Sequence, residues 1–161
     1  MNVSKKVALL GHYGVGKTSL TRRFVHRKFS DEYATTIGVN IEKKVVEVDD
    51  YTISMIIWDI AGESSQTKVP ASYKLGAHGV IYAFDLTRPD TFSHLEEDLA
   101  TLQKQLPNVP VLVIGNKKDL LVEKAQQEII NSLPLMPFAL CSAKTGENVE
   151  TLFVELAKRM I

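Results

Sequence analysis

At 161 residues and 17.9 kDa, with 45% hydrophobic and 24% charged residues, the chain has the length of one domain spanning 1–161. Such a domain buries roughly two-thirds of its unfolded surface. Nineteen basic side chains balance nineteen acidic ones, so the clustered basic excess of a nucleic-acid binder is missing. A lone cysteine, Cys141, excludes an internal disulfide and fits a reducing compartment, and no apolar run approaches the ~20 residues that span a bilayer. Residues 1–6 lack a cleavage pattern, Asn2 excludes second-position myristoylation, and Lys158–Ile161 contains no cysteine to prenylate. The expectation is a cytoplasmic, monomeric domain with no nucleic-acid partner and no direct membrane anchor in this chain.

Short β-branched apolar runs alternate with amphipathic stretches, the pattern of an α/β domain with a mostly parallel sheet. Val7–Leu10 reads as the first strand and Gly16–His26 as the helix after it. Val39–Val48 and Thr52–Trp58 are separated only by Asp49-Asp50-Tyr51, too short for a crossover helix, so these two strands form an antiparallel hairpin. Gly79–Asp85 is the next strand. A helix follows over Thr91–Gln105, with Thr91 as its capping residue and Leu106-Pro107 beyond its end. Strands at Val109–Gly115 and Phe138–Cys141 come next, and a helix over Glu147–Met160 closes the chain. In that last helix Val149, Leu152, Phe153, Leu156 and Met160 form one apolar stripe, which reads as core.

Gly11-His12-Tyr13-Gly14-Val15-Gly16-Lys17-Thr18 matches G-x-x-x-x-G-K-[ST] at every fixed position and lies between a strand and a helix. Glycines let successive N–H groups converge on a phosphate, and the helix N-terminus adds positive potential. Lys17 supplies a charge to the β- and γ-phosphates, and the Thr18 hydroxyl can ligate Mg²⁺. Asn116-Lys117-Lys118-Asp119 follows an apolar strand, at the strand end where open α/β sheets bind ligands. A carboxylate there accepts two hydrogen bonds from guanine N1–H and its exocyclic amine, a donor pair that adenine lacks. After the last strand comes Cys141-Ser142-Ala143-Lys144, whose backbone N–H can meet the guanine O6.

With these motifs the chain resembles the Ras superfamily of small GTPases, and the Rab-like branch most closely. The resemblance extends to Tyr33-Ala34-Thr35-Thr36-Ile37-Gly38-Val39 as a first switch, to Trp58-Asp59-Ile60-Ala61-Gly62-Glu63 as a second, and to Gly76-Ala77-His78-Gly79. It implies a P-loop NTPase small G domain: six strands, mostly parallel with one antiparallel, flanked by about five helices. It also implies GTP or GDP bound with magnesium. Tyr13, Gly14, Val15, Gly16, Lys17, Thr18 and Ser19 would hold phosphate; Asn116, Lys117 and Asp119 would read guanine; Ser142, Ala143 and Lys144 would close the pocket. Thr18 and Thr36 would ligate the metal, with Asp59 acting through water. The Gly62 N–H would touch the γ-phosphate, Phe29 would edge the base and Tyr33 would cover the phosphates. Catalysis would fall to Glu63, Lys17 and Thr36. Effectors, an exchange factor and an activating protein would read the switch loops near 29–41 and 59–75, through Ile41, Trp58 and Tyr73.

Three departures stand out. Glu63 takes the place of the family's water-positioning glutamine; it accepts a hydrogen bond from water yet donates none to the transferring phosphoryl. Tyr13 stands where many members carry a small residue, and turned inward it crowds an activating arginine worth ~10³–10⁵ in rate on the superfamily's own scale. Ile41 replaces the usual Phe. Glu63 and Tyr13 point to a slow hydrolase, on the order of 10⁻⁴ per second by that same scale, while Ile41 bears on partner identity. A hydrolysis-deficient docking module held in the GTP form is the second reading, and a P-loop ATPase or small-molecule kinase the third. His12 reads as a solvent-facing loop residue rather than a base. Rab-like proteins ordinarily continue into a prenylated tail. Here the last helix ends the sequence, which leaves open a trimmed chain or a form that reaches membranes through a partner.

Overall fold

A computed structural model describes residues 1–30, 36, 38–62 and 70–161. Its sheet is built from β1 (Asn2–Gly11), β2 (Val39–Val48), β3 (Tyr51–Ile60), β4 (Gly79–Asp85), β5 (Val111–Asn116) and β6 (Ala139–Leu140). They lie in the order β2-β3-β1-β4-β5-β6. All neighbours are parallel except β2 and β3, whose antiparallel ladder runs from Val39↔Ile60 to Val48↔Tyr51. The expected sheet, including its one antiparallel strand, is therefore what forms. Asp49, in the hairpin turn, takes a left-handed φ of 52°, which a short polar side chain tolerates better than most.

The described residues hold four α-helices: α1 (Lys17–His26), α2 (Leu95–Gln105), α3 (Glu123–Ser132) and α4 (Val149–Arg159). Strand alternation sends Val7 and Leu9 to one face of the sheet and Ala8 to the other. The first face is covered by α1 and α4, where Phe24 stacks on Phe153 with ring centroids 4.1 Å apart. Val149, Leu152, Phe153, Leu156 and Met160 are all buried there, as their spacing requires. Leu95 and Leu102 of α2 pack on the opposite face against Val80, Tyr82, Phe84 and Val113. Every residue of β4 is buried, because that strand is covered on both faces.

Thr91 is not the cap of α2. It ends a 3-10 turn over Pro89–Thr91, and its buried hydroxyl donates toward Arg88 O at 2.7 Å while accepting the Asp85 N–H at 2.9 Å. The hydroxyl serves the end of β4, and α2 starts four residues later at Leu95.

The parallel register brings the carboxyl ends of β1, β3, β4, β5 and β6 to one edge, with Leu9↔Asp59, Gly11↔Ala83, Asp85↔Asn116 and Gly115↔Leu140 as neighbours. β1 lies between β3 and β4, so the chain leaves it toward one side and returns on the other. Open α/β sheets bind ligands at such a switch point. No helix among the described residues is long and apolar enough to cross a membrane.

Candidate functional site

A cleft of about 300 Å³ opens at that edge. The loop over residues 11–16 backs one wall, with Tyr13, Gly14 and Gly16 lining the cleft. Five successive carbonyls of this loop are taken by polar side chains. Lys17 Nζ donates to Gly11 O (3.1 Å) and His12 O (3.2 Å), Arg88 to Tyr13 O (2.8 Å), Lys117 to Gly14 O (3.2 Å) and Asn116 to Val15 O (3.0 Å). In a trans peptide the next N–H points opposite to the C=O. Tying the carbonyls down therefore fixes where the N–H edges face, and an anion nest needs that control. Gly16 is indispensable here: its φ is +97°, and a Cβ would lie 2.3 Å from Asn116 Nδ2.

Lys17 begins α1 and is buried. Burial lowers its pKa from 10.5 to about 8, with the Asp59 charge working the other way. Beside it three oxygens meet. Thr18 donates its hydroxyl to Asp59 Oδ2 at 2.6 Å, so the 2.6 Å contact between Thr18 Oγ1 and Thr36 Oγ1 is donated by Thr36. Asp59 is fully buried, and its carboxyl is pushed up by that burial against the Thr18 hydrogen bond and the Lys17 and Arg22 charges. Its Oδ1 has no hydrogen-bond partner among the described residues. Two hydroxyls and one carboxylate with an orphaned oxygen make a donor set for a hard divalent cation. Adjacent ligands of an octahedral Mg²⁺ at ~2.0–2.1 Å lie about 2.9 Å apart, close to the spacing of the two hydroxyls.

Asn116 sits 2% exposed at the end of β5 and joins two walls of the cleft. Besides its bond to Val15 O, its Oδ1 accepts the Ala143 N–H at 3.2 Å. Lys117 takes a left-handed φ of 68° and lies between Gly14 O and Asp85 Oδ2, 2.8 Å away. That second contact is off hydrogen-bond alignment and acts as an ion pair. Asp119 is exposed, with Oδ1 accepting the Ser142 hydroxyl at 2.7 Å; that hydroxyl in turn accepts the Thr145 N–H. Arg23, reaching over from α1, donates to Ala143 O at 2.8 Å and to Lys144 O.

Of the residues singled out in the sequence, Tyr13, Gly14, Gly16, Lys17, Thr18, Ser19, Phe29, Thr36, Asp59, Gly62, Asn116, Lys117, Asp119, Ala143 and Lys144 all line this one cleft. Val15 and Ser142 do not line it; both are buried. Tyr33 and Glu63 lie outside the described residues. Gly62 rests on the phosphate loop, where a Cβ would lie 2.4 Å from Tyr13 N. Tyr13 itself is 42% exposed at the cleft's lip. His12 is half-buried rather than solvent-facing, its ring 3.3 Å from Asp98 on α2.

Sequence reading missed Arg22, Arg23, Asp85 and Arg88. Arg22 had a findable signal, since it stands one helical turn after Thr18 and so on the same face of α1. The other three make contacts over long sequence separations, which leave no local pattern. Ile41 pairs with Trp58 across β2 and β3, and Trp58 lies 6.3 Å from Tyr73, so the expected apolar trio is contiguous. Lys6 Nζ stands 3.7 Å over the Trp58 ring.

A model of the Ras family matches residues 6–161. The Ras-related protein Rab-7b of Mus musculus is 37% identical over 172 residues, covering all of this chain and 86% of that protein.

Proposed function

The chain belongs to the Ras family as a Rab-like small GTPase, and from that premise we propose that it is a guanine-nucleotide switch. In this reading it binds GTP or GDP with magnesium and slowly converts GTP to GDP and phosphate. The observation that carries it is the polarity of this cleft. A buried ammonium (Lys17) and the Thr18–Thr36–Asp59 oxygen cluster stand at one end, and Asp119, held by Ser142, at the other.

Each residue then has a role that follows from its surroundings. Lys17, freed from the Gly11 and His12 carbonyls, meets the β- and γ-phosphates, whose charge raises its pKa again. Thr18, Thr36 and Asp59 would hold the magnesium. Bound there, the ion supplies charge neutralisation to the transferring phosphoryl. Asp119 accepts from the guanine N1–H and amine, and the loop over Ser142, Ala143 and Lys144 closes on the O6 side. Phe29 edges the base and Tyr33 covers the phosphates. The Gly62 N–H contacts the γ-phosphate, so Thr36 and Gly62 carry its presence or loss to the loops near 29–41 and 59–75. Effectors, exchange factor and activator read that surface through Ile41, Trp58 and Tyr73.

Glu63, in place of glutamine, and Tyr13, exposed at the lip, favour a second reading: a docking module that holds GTP without hydrolysing it. Single-turnover hydrolysis of bound GTP with Mg²⁺, in the wild type and in Glu63→Gln, separates the two. Measurable wild-type hydrolysis supports the timed switch. A wild type that retains GTP while Glu63→Gln hydrolyses it establishes the docking module. Displacement of bound GDP by ATP as readily as by GTP would overturn both in favour of an ATP enzyme.

A further inference from the structure

His12, Asp98 and Tyr82 come from the phosphate loop, α2 and β4, and they share one carboxylate oxygen. Tyr82 is buried and donates its hydroxyl to Asp98 Oδ2 at 2.8 Å; His12 Nε2 lies 3.3 Å from the same atom. A carboxylate oxygen has two lone pairs and accepts both, with the His12 proton on Nε2. Burial and the Asp98 charge both push the Tyr82 phenol up, so its hydroxyl stays a donor. Asp98 also lies in the first turn of α2 with Glu96 and Glu97, where any acid complements the helix dipole. The dipole asks for no partner, however, and this carboxylate has two, one buried in the sheet and one on the loop.

The His12–Tyr13 peptide is where the phosphate machinery leans. Lys17 Nζ donates to His12 O, and a Cβ on Gly62 would lie 2.4 Å from Tyr13 N and 2.7 Å from the His12 carbonyl carbon. A turn of this peptide would carry both contacts with it. We propose that Asp98, anchored by Tyr82, is a positioning residue that fixes the phosphate loop through His12 and so governs how long nucleotide phosphates are retained. The proposal rests on the guanine-nucleotide reading above, and it assigns α2 a part in nucleotide release although α2 contributes nothing to the cleft wall.

The test is release of a fluorescent GDP, with Mg²⁺ present, from the full chain and from Asp98→Ala, His12→Ala, the double variant and Tyr82→Phe. Asp98→Ala and His12→Ala should each release about five-fold faster, the scale of a part-exposed charged contact. The double variant should be no faster than His12→Ala alone, because Asp98 acts through that ring. Tyr82→Phe keeps the buried ring and should give a smaller acceleration, with the unfolding temperature lowered by a few degrees for the lost hydrogen bond. Accelerations that multiply in the double variant would assign Asp98 to the helix dipole and overturn the proposal, as would unchanged release in both single variants. Failure of the wild type itself to hold GDP would overturn the nucleotide reading and this proposal with it, and the wild-type control alone reveals that case.

Discussion

Asn116→Ala tests whether the base-side and phosphate-side loops are one mechanical unit. The side chain is 2% exposed and bridges two buried backbone groups, Val15 O at 3.0 Å and Ala143 N at 3.2 Å. Truncation leaves one acceptor and one donor with no partner in a dry site. Each stranded group costs about 1–3 kcal/mol, so the loss should be about 2–6 kcal/mol. Set against a typical total of ~5–15 kcal/mol, that is a large share. A loss of about 3 kcal/mol would lower the melting temperature by about 6–12 °C in a chain of this size. The assay is equilibrium urea denaturation, run without nucleotide and again with saturating GDP, so that ligand linkage is separated from intrinsic stability. Asn116→Asp sharpens it: a carboxylate still accepts from Ala143 N but sets a second acceptor against Val15 O. It should restore the Ala143 side and leave the phosphate loop loose, with GDP release still fast. An Asn116→Ala variant that denatures within ~0.5 kcal/mol of wild type would refute the reasoning, because buried orphans cannot be that cheap.

The remaining predictions concern single residues of the same cleft. Below pH 8 the fold carries Lys17 as a desolvated cation, and that cost lifts as pH rises from about 8 toward 10.5. Stability without nucleotide, relative to Lys17→Met, should therefore increase between pH 8 and 9; a flat difference in urea midpoints would contradict it. The Cys141 thiol, raised by burial from 9.0 to about 12, lowers absolute stability above pH 9 in both proteins and so cancels in this difference. Asp119→Ala should reduce discrimination of GTP over ATP from ~10⁴ to a few-fold in a displacement titration, since one site carboxylate reads two guanine donors. Gly62→Ala forces a methyl to within 2.4 Å of Tyr13 N, so Gly62, rather than the braced loop, must lift away. GTP turnover should fall about 10²-fold, the scale of one misplaced donor, while GDP affinity changes little; equal losses in both would place Gly62 in ground-state binding instead.

Most of this site was legible because its chemistry is local in sequence. The phosphate loop needs Gly16, Lys17 and Thr18 in immediate succession, and the base loop needs Asn116 through Asp119 on consecutive residues. The sheet was legible for a similar reason: β4 is seven buried residues in a row, and the α4 stripe repeats with helical spacing. What escaped is what spans the chain. Arg88 reaches Tyr13, 75 positions away, and Arg23 reaches Ala143, 120 away; neither contact has a periodicity or a motif. The helix α3 was not foreseen because its apolar stripe is short, Ala125, Ile129 and Ile130, and none of its residues is fully buried. Thr91 looked like a cap because a threonine before an acidic, amphipathic run usually is one, but the end of β4 claimed its hydroxyl first. His12 looked like a solvent-facing loop residue because Asp98 lies 86 positions away.

The two halves of the cleft are held in different ways, and a switch requires that difference. On the fixed half, carbonyls 11 through 15 are each tied to a side chain, with Arg88, Lys117 and Asn116 reaching in from outside the loop, and Asn116 extends the tie to Ala143. Loosening it means breaking several bonds together. On the other half, among the described residues, Thr36 meets Thr18 through a hydroxyl contact and Gly62 leans on the Tyr13 backbone by close packing. These two segments are joined to each other by the backbone bond from Ala61 N to Gly38 O at 2.9 Å, which extends the β2–β3 ladder past Val39↔Ile60. In the proposed cycle, loss of the γ-phosphate removes one contact from each segment, a few kcal/mol at most. That would be enough to release Thr36 and Gly62 and too little to disturb the braced loop. Because the Gly38–Ala61 bond couples them, release at Thr36 would in that cycle favour release at Gly62, and the two would report one nucleotide state rather than two.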